Sequence, residues 1–280
     1  MPSPVLVLGG ITSVQFGSAV ATHLFGSVGP GGAVLLRLLA AAVVLTLVTR
    51  PRLTGLHRRQ WLLAALFGLV LAAMNTSFYE ALDRIPLGIA VTIEFIGPLA
   101  VGLIGSRRGV DLVWIAAALL GIVALTHGSA HGLDALGVVF ALCAATFWGA
   151  YIFVSARVGR AFSDGTGLMI AMWVSALTAL PLGVADGAGN LLRPHSLLLG
   201  LAVGVLSSAL PYTLELEALR RIATHVFGVL MSLEPAVAAF AGWLALGQQL
   251  SARELAGMVL VIVASVGVTL NAPRREASPL

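Results

Sequence analysis

The dominant feature of the chain is a series of apolar segments that runs almost without interruption from Val5 to Leu270. A membrane-spanning helix needs about 20 apolar residues at a rise of about 1.5 Å per residue. Only 10% of the 280 residues are charged, against about 25% in a soluble domain. The sequence therefore predicts an all-α polytopic membrane protein with ten transmembrane helices. The ten predicted spans are 5–25, 30–49, 61–82, 86–106, 111–127, 134–156, 165–184, 196–218, 224–247 and 252–271.

The distribution of arginine predicts how these spans are oriented. Cytoplasmic loops of membrane proteins collect basic residues. Twelve arginines fall in alternate loops and the C-terminal tail, whereas Arg84, Arg193 and Arg253 fall in the opposite set. We therefore expect both termini in the cytoplasm, and an even number of crossings agrees with both lying on one side. The net charge of +4 then reflects topology, and no nucleic-acid partner is expected.

A short internal repeat divides the chain into two halves. Residues 80–85 (EALDRI) recur at 217–222 (EALRRI), and the same offset of 137 places Pro98 on Pro235. Five spans per half is an odd number, so the second half enters the membrane upside down relative to the first. Such inverted repeats are typical of secondary transporters, with the substrate site near the bilayer midplane. The predicted organisation is a first repeat at 1–128, a second repeat at 134–271 and a cytoplasmic tail at 272–280.

Two acidic residues lie near the middle of predicted spans. Glu94 and Glu234 are each about 12–15 Å from the end of their span at helical rise, and each adjoins a proline, Pro98 or Pro235. Proline has no N–H to donate to the carbonyl four residues earlier in the helix. Inside a membrane, a carbonyl without its helical partner is tolerated where it faces a water-filled cavity. One interpretation is substrate or proton binding. The other is a structural role in helix packing.

Arg37 is the basic residue predicted to lie inside a span, about 10 Å from its end. A guanidinium at this depth needs a carboxylate, carbonyl groups or water. One interpretation is a structural ion pair of Arg37 with Glu80 or Glu94. The other is that its planar guanidinium group binds the carboxylate of a substrate.

Several other polar or aromatic residues lie inside predicted spans, and each alone is commonly a helix–helix contact. Together they supply the donors, acceptors and aromatic walls that a small zwitterion needs. Gly200 and Gly204 form a GxxxG step that predicts close packing. Six of the polar and aromatic residues are expected to line one central cavity: Gln15, Asn75, Tyr79, Trp148, Tyr151 and Tyr212.

The sequence lacks the signatures of the common membrane enzymes and ATP-driven pumps. No P-loop, HExxH or GxSxG motif with a plausible partner occurs, so we expect a protein that is not an enzyme and has no catalytic residues. His127, His131 and Asp134 have a ligand-like spacing, but glycines interrupt them in a loop, so we expect no metal and no cofactor. The single cysteine, Cys143, excludes a disulfide framework.

The chain resembles a known protein family nearly from end to end. The motifs that carry the resemblance lie in four stretches, 86–100, 106–114, 209–215 and 227–236. On these the chain resembles the drug/metabolite transporter superfamily with tandem EamA domains, and most of all its bacterial inner-membrane exporters of threonine and homoserine. One position departs from the pattern. After Gly247 the family usually carries Glu, and this chain has Gln248, so a titrating role at that position is absent here.

The resemblance implies efflux of small neutral amino acids in exchange for protons, by alternating access, across the bacterial plasma membrane. The expected partners are an amino acid, protons and the lipid bilayer. The substrate would be bound by the six cavity residues with Glu94 and Glu234, which would also carry the proton. Similar proteins move other metabolites or drugs, which stays the alternative. A non-transporting scaffold is disfavoured by the two mid-span carboxyls, and monomer and homodimer both stay open.

Overall fold

The structure, a computed structural model, describes residues 3–51, 53–104, 110–126, 133–162, 165–211, 214, 218, 227 and 230–271. Within these ranges the chain is helical and contains no strand. A π-helix, Val205–Ala209, directly follows the eighth helix. The α-helices are α1 (Ser3–Thr49), α2 (Arg58–Leu82), α3 (Leu87–Glu94), α4 (Ile96–Ile104), α5 (Val110–Thr126), α6 (Ala135–Ala161), α7 (Thr166–Gly187), α8 (Pro194–Gly204), α9 (Glu234–Leu246) and α10 (Ala252–Asn271).

Helix α1 contains the first two predicted spans and turns back on itself between them. Gly29, just before Pro30, has φ 69° and ψ 171°, a conformation that side chains other than glycine rarely adopt. On either side of it, Ser13 and Arg37 hydrogen-bond to the adjacent carbonyls of Leu206 and Ser207. A straight helix would separate these two residues by about 36 Å. The predicted break between the first two spans is therefore confirmed.

Five of the described helices are long and apolar enough to cross a membrane, and four further described helices are apolar but shorter. The prediction of an all-α, multi-pass protein agrees with this. Ten spans in two inverted repeats stay a prediction. The five long helices are Pro4–Thr49, Arg58–Leu82, Ala135–Ala161, Thr166–Gly187 and Ala252–Leu270, and the shorter ones are Leu87–Val101, Val113–Leu125, Pro194–Ala209 and Glu234–Leu246.

The predicted span 86–106 is not one regular helix, because a turn at Phe95 separates α3 from α4. Pro98 cannot donate a hydrogen bond to the carbonyl of Glu94, so the helical ladder loses a rung at this point. In the second half, a turn likewise precedes Glu234, the first residue of α9, with Pro235 next to it. Both mid-span glutamates therefore lie at helix ends.

The helices pack so that elements of the two halves alternate. Helix α1 contacts α7, α8, the π-helix and α9, whereas α2 contacts α6 and α7, α3 contacts α9, and α5 contacts α10. Small residues allow close approach. A Cβ atom on Gly200 would lie 2.7 Å from the Cβ of Leu36, and one on Gly204 would lie 2.6 Å from the Cβ of Ala40. The GxxxG step is thus a packing contact with α1, as predicted.

Arginine positions distinguish the two ends of the bundle. The Gln60 amide, at the start of α2, donates to the carbonyl of Ala161 at the end of α6, across 2.8 Å. Arginines 58, 59, 157 and 160 therefore lie near one end, here called the Arg-rich end. The opposite end carries Arg84, which follows α2, and is called the Arg-poor end. By the arginine count, the Arg-poor end is expected to face away from the cytoplasm.

Candidate functional site

Arg37 lies at the centre of the described bundle and joins three helices through neutral oxygen atoms. Only 7% of its surface is exposed. One terminal nitrogen donates to the carbonyl of Ser207 at 3.1 Å, the other to the hydroxyl of Tyr79 at 3.4 Å, and Nε to the hydroxyl of Ser208 at 3.5 Å. The guanidinium also lies 5.4 Å from the centroid of the Tyr79 ring. Its position is therefore fixed from three directions.

The expected ion pair between Arg37 and Glu80 is not formed. Glu80 instead pairs with Arg84, one turn further along the chain, at 2.6 Å. Among the described residues, no carboxylate lies within ion-pair distance of Arg37. Glu94 is close enough to interact with it electrostatically, and is itself buried. The centre thus holds a guanidinium and a carboxyl group that are near each other but not paired.

The π-helix supplies two of the three oxygen atoms that accept hydrogen bonds from Arg37, the carbonyl of Ser207 and the hydroxyl of Ser208. A π-helix uses bonds five residues apart, which widens the turn, and single π turns are frequent at functional sites. The Ser13 hydroxyl donates to the carbonyl of Leu206 at 2.6 Å, next to the carbonyl of Ser207 that Arg37 holds. Gly17 packs so closely here that a Cβ atom would overlap the hydroxyl of Ser207. Ser207 and Ser208 are two adjacent serines in an apolar span, but nothing in the sequence indicates a π-helix there.

Gln15 and Glu234 form a second buried group. The side-chain nitrogen of Gln15 donates to a carboxyl oxygen of Glu234 at 3.0 Å, although 219 residues separate them. The side-chain oxygen of Gln15 is buried and has no hydrogen-bond partner in the described part of the chain. This bond joins α1 to the start of α9 and leaves one buried acceptor open.

The two mid-span glutamates lie at similar depth. Helix α3 begins beside α9 so closely that a Cβ atom on Gly88 would lie 2.8 Å from the Cα of Ala239. Glu94 is six residues beyond that contact, and Glu234 is five residues before it in a helix of opposite direction. At helical rise these steps are about 9 Å and about 7.5 Å. The two carboxyl groups therefore occupy one layer of the bundle.

Gln248 connects the same two helices at the Arg-poor end. Its side-chain oxygen accepts a hydrogen bond from the backbone N–H of Leu87, at the start of α3, across 3.0 Å. Gly247 ends α9 in a left-handed conformation with φ 65°, which glycine adopts readily and which turns the chain toward α3. The side chain that replaces the usual Glu is thus a hydrogen-bond acceptor for a helix N-terminus.

The remaining predicted site residues fall into three situations. Asn75 is buried and donates to the carbonyl of Leu71 in its own helix at 2.8 Å. Trp148 meets Phe95, the residue after Glu94, edge to face at 5.4 Å between centroids, while Tyr151 packs against Phe67. Tyr212 lies outside the described residues. A single cavity lined by all six predicted residues therefore stays a prediction.

In the described part of the chain, no cluster of three or more His, Cys, Asp or Glu residues could hold a metal ion. Asp134, one of the three residues with ligand-like spacing, begins α6: its carboxylate accepts hydrogen bonds from the backbone of Leu136 and Gly137. This is the usual role of Asp at an N-cap. His127 and His131 lie outside the described residues.

Comparisons with known proteins agree on one family. The model of the EamA-like transporter family matches residues 135–270. The threonine/homoserine exporter RhtA of Salmonella typhimurium (strain LT2) is 40% identical over 278 residues, 98% of this chain and 93% of the relative. RhtA of Escherichia coli (strain K12) is 39% identical over 276 residues, 98% of this chain and 92% of the relative. A crystal structure 20% identical in sequence superposes with a TM-score of 0.64 over 97% of this chain and 99% of that one, which shows the shared fold.

Proposed function

The chain belongs to the EamA-like transporter family, and we propose that it is a secondary active exporter of small neutral amino acids such as threonine and homoserine. Export would proceed by alternating access, in exchange for protons, across the bacterial plasma membrane. The relatives' names support the substrate class, and their similarity extends over nearly the whole chain. The observation that carries the proposal is the buried Arg37, which is held by neutral oxygens and forms no ion pair within the described part of the chain, together with the buried carboxyl of Glu94.

This charge arrangement fits a zwitterion. The planar guanidinium of Arg37 can bind a substrate carboxylate through two parallel hydrogen bonds. A carboxylate at Glu94 or Glu234 can receive the ammonium group. Because Arg37 is already held by Tyr79 and the π-helix, little side-chain entropy is lost when a substrate binds. An apolar metabolite would gain nothing from either charge.

Competition for a carboxyl group provides a route to coupling. A proton and an ammonium group each neutralise a carboxylate, so one such group binds only one of them at a time. In our proposal, Glu94 takes a proton when the site faces the periplasm and releases it when the site faces the cytoplasm, where the amino acid then binds. Such alternation is sufficient for antiport. Glu234 is the second candidate, and its similar depth supports that role.

An inverted-repeat architecture with ten spans is part of the proposal. One contact in particular supports it: α5 and α10 cross at Gly121 and Gly257, and a Cβ atom on either would lie 2.6 Å from the carbonyl oxygen of the other. These glycines are 136 residues apart, close to the repeat offset. Residues on a two-fold axis meet their own equivalents. A reciprocal contact of this kind is what a pseudo-two-fold axis in the membrane plane produces.

Counterflow in proteoliposomes tests the substrate class. Vesicles loaded with unlabelled threonine are diluted into trace labelled threonine, and competitors are added one at a time: homoserine, an aromatic amino acid, a purine and a cationic drug. We expect only threonine, homoserine and their close analogues to suppress uptake of the label. The matched control is Arg37→Gln, which removes the charge. If only the purine or the drug suppresses uptake, the protein exports another metabolite or drug and this proposal is wrong. If the protein is folded but shows no flux, the remaining hypothesis is a non-transporting scaffold.

A further inference from the structure

A cavity of about 430 Å³ opens at the Arg-poor end of the bundle, between the turn of α1 and the ends of α2 and α7. It was not anticipated from the sequence, and none of the central residues Arg37, Glu94 and Glu234 lines it. The lining residues are Phe25, Gly26, Ser27, Gly29, Pro30, Glu80, Asp83, Arg84 and Asp186.

Hydrogen bonds fix the walls of this cavity. A carboxyl oxygen of Asp186, at the end of α7, accepts from the backbone N–H of Gly31 at 3.0 Å. Nearby, the Asn190 amide donates to the carbonyl of Ser27 at 2.6 Å. On the opposite wall, the Glu80–Arg84 ion pair is covered by the ring of Phe140. The turn of α1 is therefore tied to α7 and to Asn190 on one side of the cavity, and the Glu80–Arg84 ion pair lies on the other.

Two aromatic rings separate the cavity from the central site. Phe25 lines the cavity and packs against Tyr79, with 5.8 Å between the ring centroids. Tyr79 is fully buried, and its hydroxyl receives the hydrogen bond from Arg37. A continuous chain of contacts therefore runs from the cavity through Phe25 and Tyr79 to Arg37.

From this chain of contacts we infer that Phe25 and Tyr79 form the gate on the Arg-poor side of the transport path, with the cavity as its vestibule. The inference rests on the proposed transport function and adds the residues that close the path. Phe25 is the moving part. Its ring is only partly buried and carries no hydrogen bond, whereas Tyr79 is enclosed and bonded to Arg37. Rotation of Phe25 toward the vestibule would expose Tyr79 and open the way to the guanidinium.

Cysteine labelling tests the gate without relying on transport. In a Cys143→Ser background, Ser208→Cys places a thiol beside Arg37. A membrane-impermeant maleimide is applied to intact cells, and to inside-out vesicles as the opposite face. We expect Phe25→Ala to raise the labelling rate from outside about tenfold, the factor that corresponds to loss of one aromatic contact. Phe25→Leu, a milder truncation, should give a smaller increase.

The matched control is Phe153→Ala, which truncates a phenylalanine that is 43% exposed on α6 and distant from the cavity lining. It should label at the parent rate. Unchanged outside labelling in both Phe25 variants, with insertion verified, would overturn the gate, and so would an increase seen only in inside-out vesicles. Amino-acid counterflow is measured separately on the parent protein without Ser208→Cys, because that substitution removes a hydroxyl that Arg37 contacts. If counterflow fails while labelling responds as expected, the proposed substrate is wrong and the gate stands.

Discussion

Arg37 donates a hydrogen bond to the carbonyl oxygen of Ser207 across 3.1 Å, although 170 residues separate the two in the chain. The bond uses a carbonyl of the π-helix, so a feature of the second half of the protein holds the central charge of the first half. Substrate binding at Arg37 would therefore act on both halves at once. An alternating-access exporter needs a linkage of this kind between its site and the parts that move.

Arg37→Lys should weaken transport strongly while leaving the protein folded. Lysine keeps the charge but loses the planar fork that holds Ser207 and Tyr79 and would bind a substrate carboxylate. Loss of charged hydrogen bonds worth about 1.5–3 kcal/mol predicts a rise in KM of roughly 10- to 100-fold. Initial rates of threonine counterflow at several concentrations measure this. The control, Arg157→Lys on the exposed face of α6, should leave KM unchanged. An unchanged KM in Arg37→Lys would show that Arg37 has a structural role only.

Gln15→Leu should destabilise the protein by separating α1 from α9. The variant removes the donor to Glu234, and a lost buried hydrogen bond to a charged or polar partner costs about 1–3 kcal/mol. At about 2–4 °C per kcal/mol, the thermal midpoint in detergent should fall by several degrees. Gln249→Leu, an exposed glutamine substitution, is the control and should melt with the parent. Equal midpoints for all three proteins would refute a stabilising role for this bond.

Gln248→Glu should be tolerated and Gln248→Leu should not. Glutamate retains an oxygen for the N–H of Leu87, and a negative charge is favourable at a helix N-terminus. Leucine has a similar volume but no acceptor, so α3 loses its connection to the end of α9 at a cost of about 1 kcal/mol. Thermal midpoints and counterflow rates report both effects. If the leucine variant matches the parent and the glutamate variant does not, the side-chain amide has another role.

Much of the membrane fold could be predicted because it depends on local sequence. Apolar length identified the long helices, and the gap between the predicted spans 5–25 and 30–49 identified the turn within α1. Pro98 marked the irregularity beside Glu94 for a purely local reason, its missing N–H. These features depend on residues close together in the chain. The helix interruptions at Phe95 and ahead of Glu234 lie inside predicted spans, and apolar length alone does not locate them.

The contacts of the site could not be predicted because they are long-range. From the sequence, both Glu80 and Glu94 were possible partners of Arg37. In the structure Glu80 pairs with Arg84, and Arg37 is held by oxygen atoms from α2 and the π-helix. Nothing local distinguishes Ser207 in a π-helix from a serine in an α-helix. Only the approach of Gly17 and Arg37 from α1 reveals why the wider turn is favourable there.

The predicted orientation can be tested with reporters that are active on only one side of the membrane. A fusion after Pro273 should report the cytoplasm, and a fusion in the loop 187–193 should report the periplasm, because the arginine bias sets the topology. The second position lies at the Arg-poor end, so it also tests which side the vestibule faces. If both fusions report the same side, the topology with ten inverted spans is wrong.

The central claim, proton-coupled export through Glu94, is tested most directly by threonine accumulation in proteoliposomes with an acidic interior. Parent protein should concentrate labelled threonine above its external level, and a protonophore should abolish the gradient. Glu94→Gln mimics the protonated carboxyl at nearly constant volume, so it should remain folded but fail to concentrate threonine. Parent protein that only equilibrates threonine at every imposed pH difference would contradict the account. So would a Glu94→Gln variant that concentrates it with the rate and pH dependence of the parent.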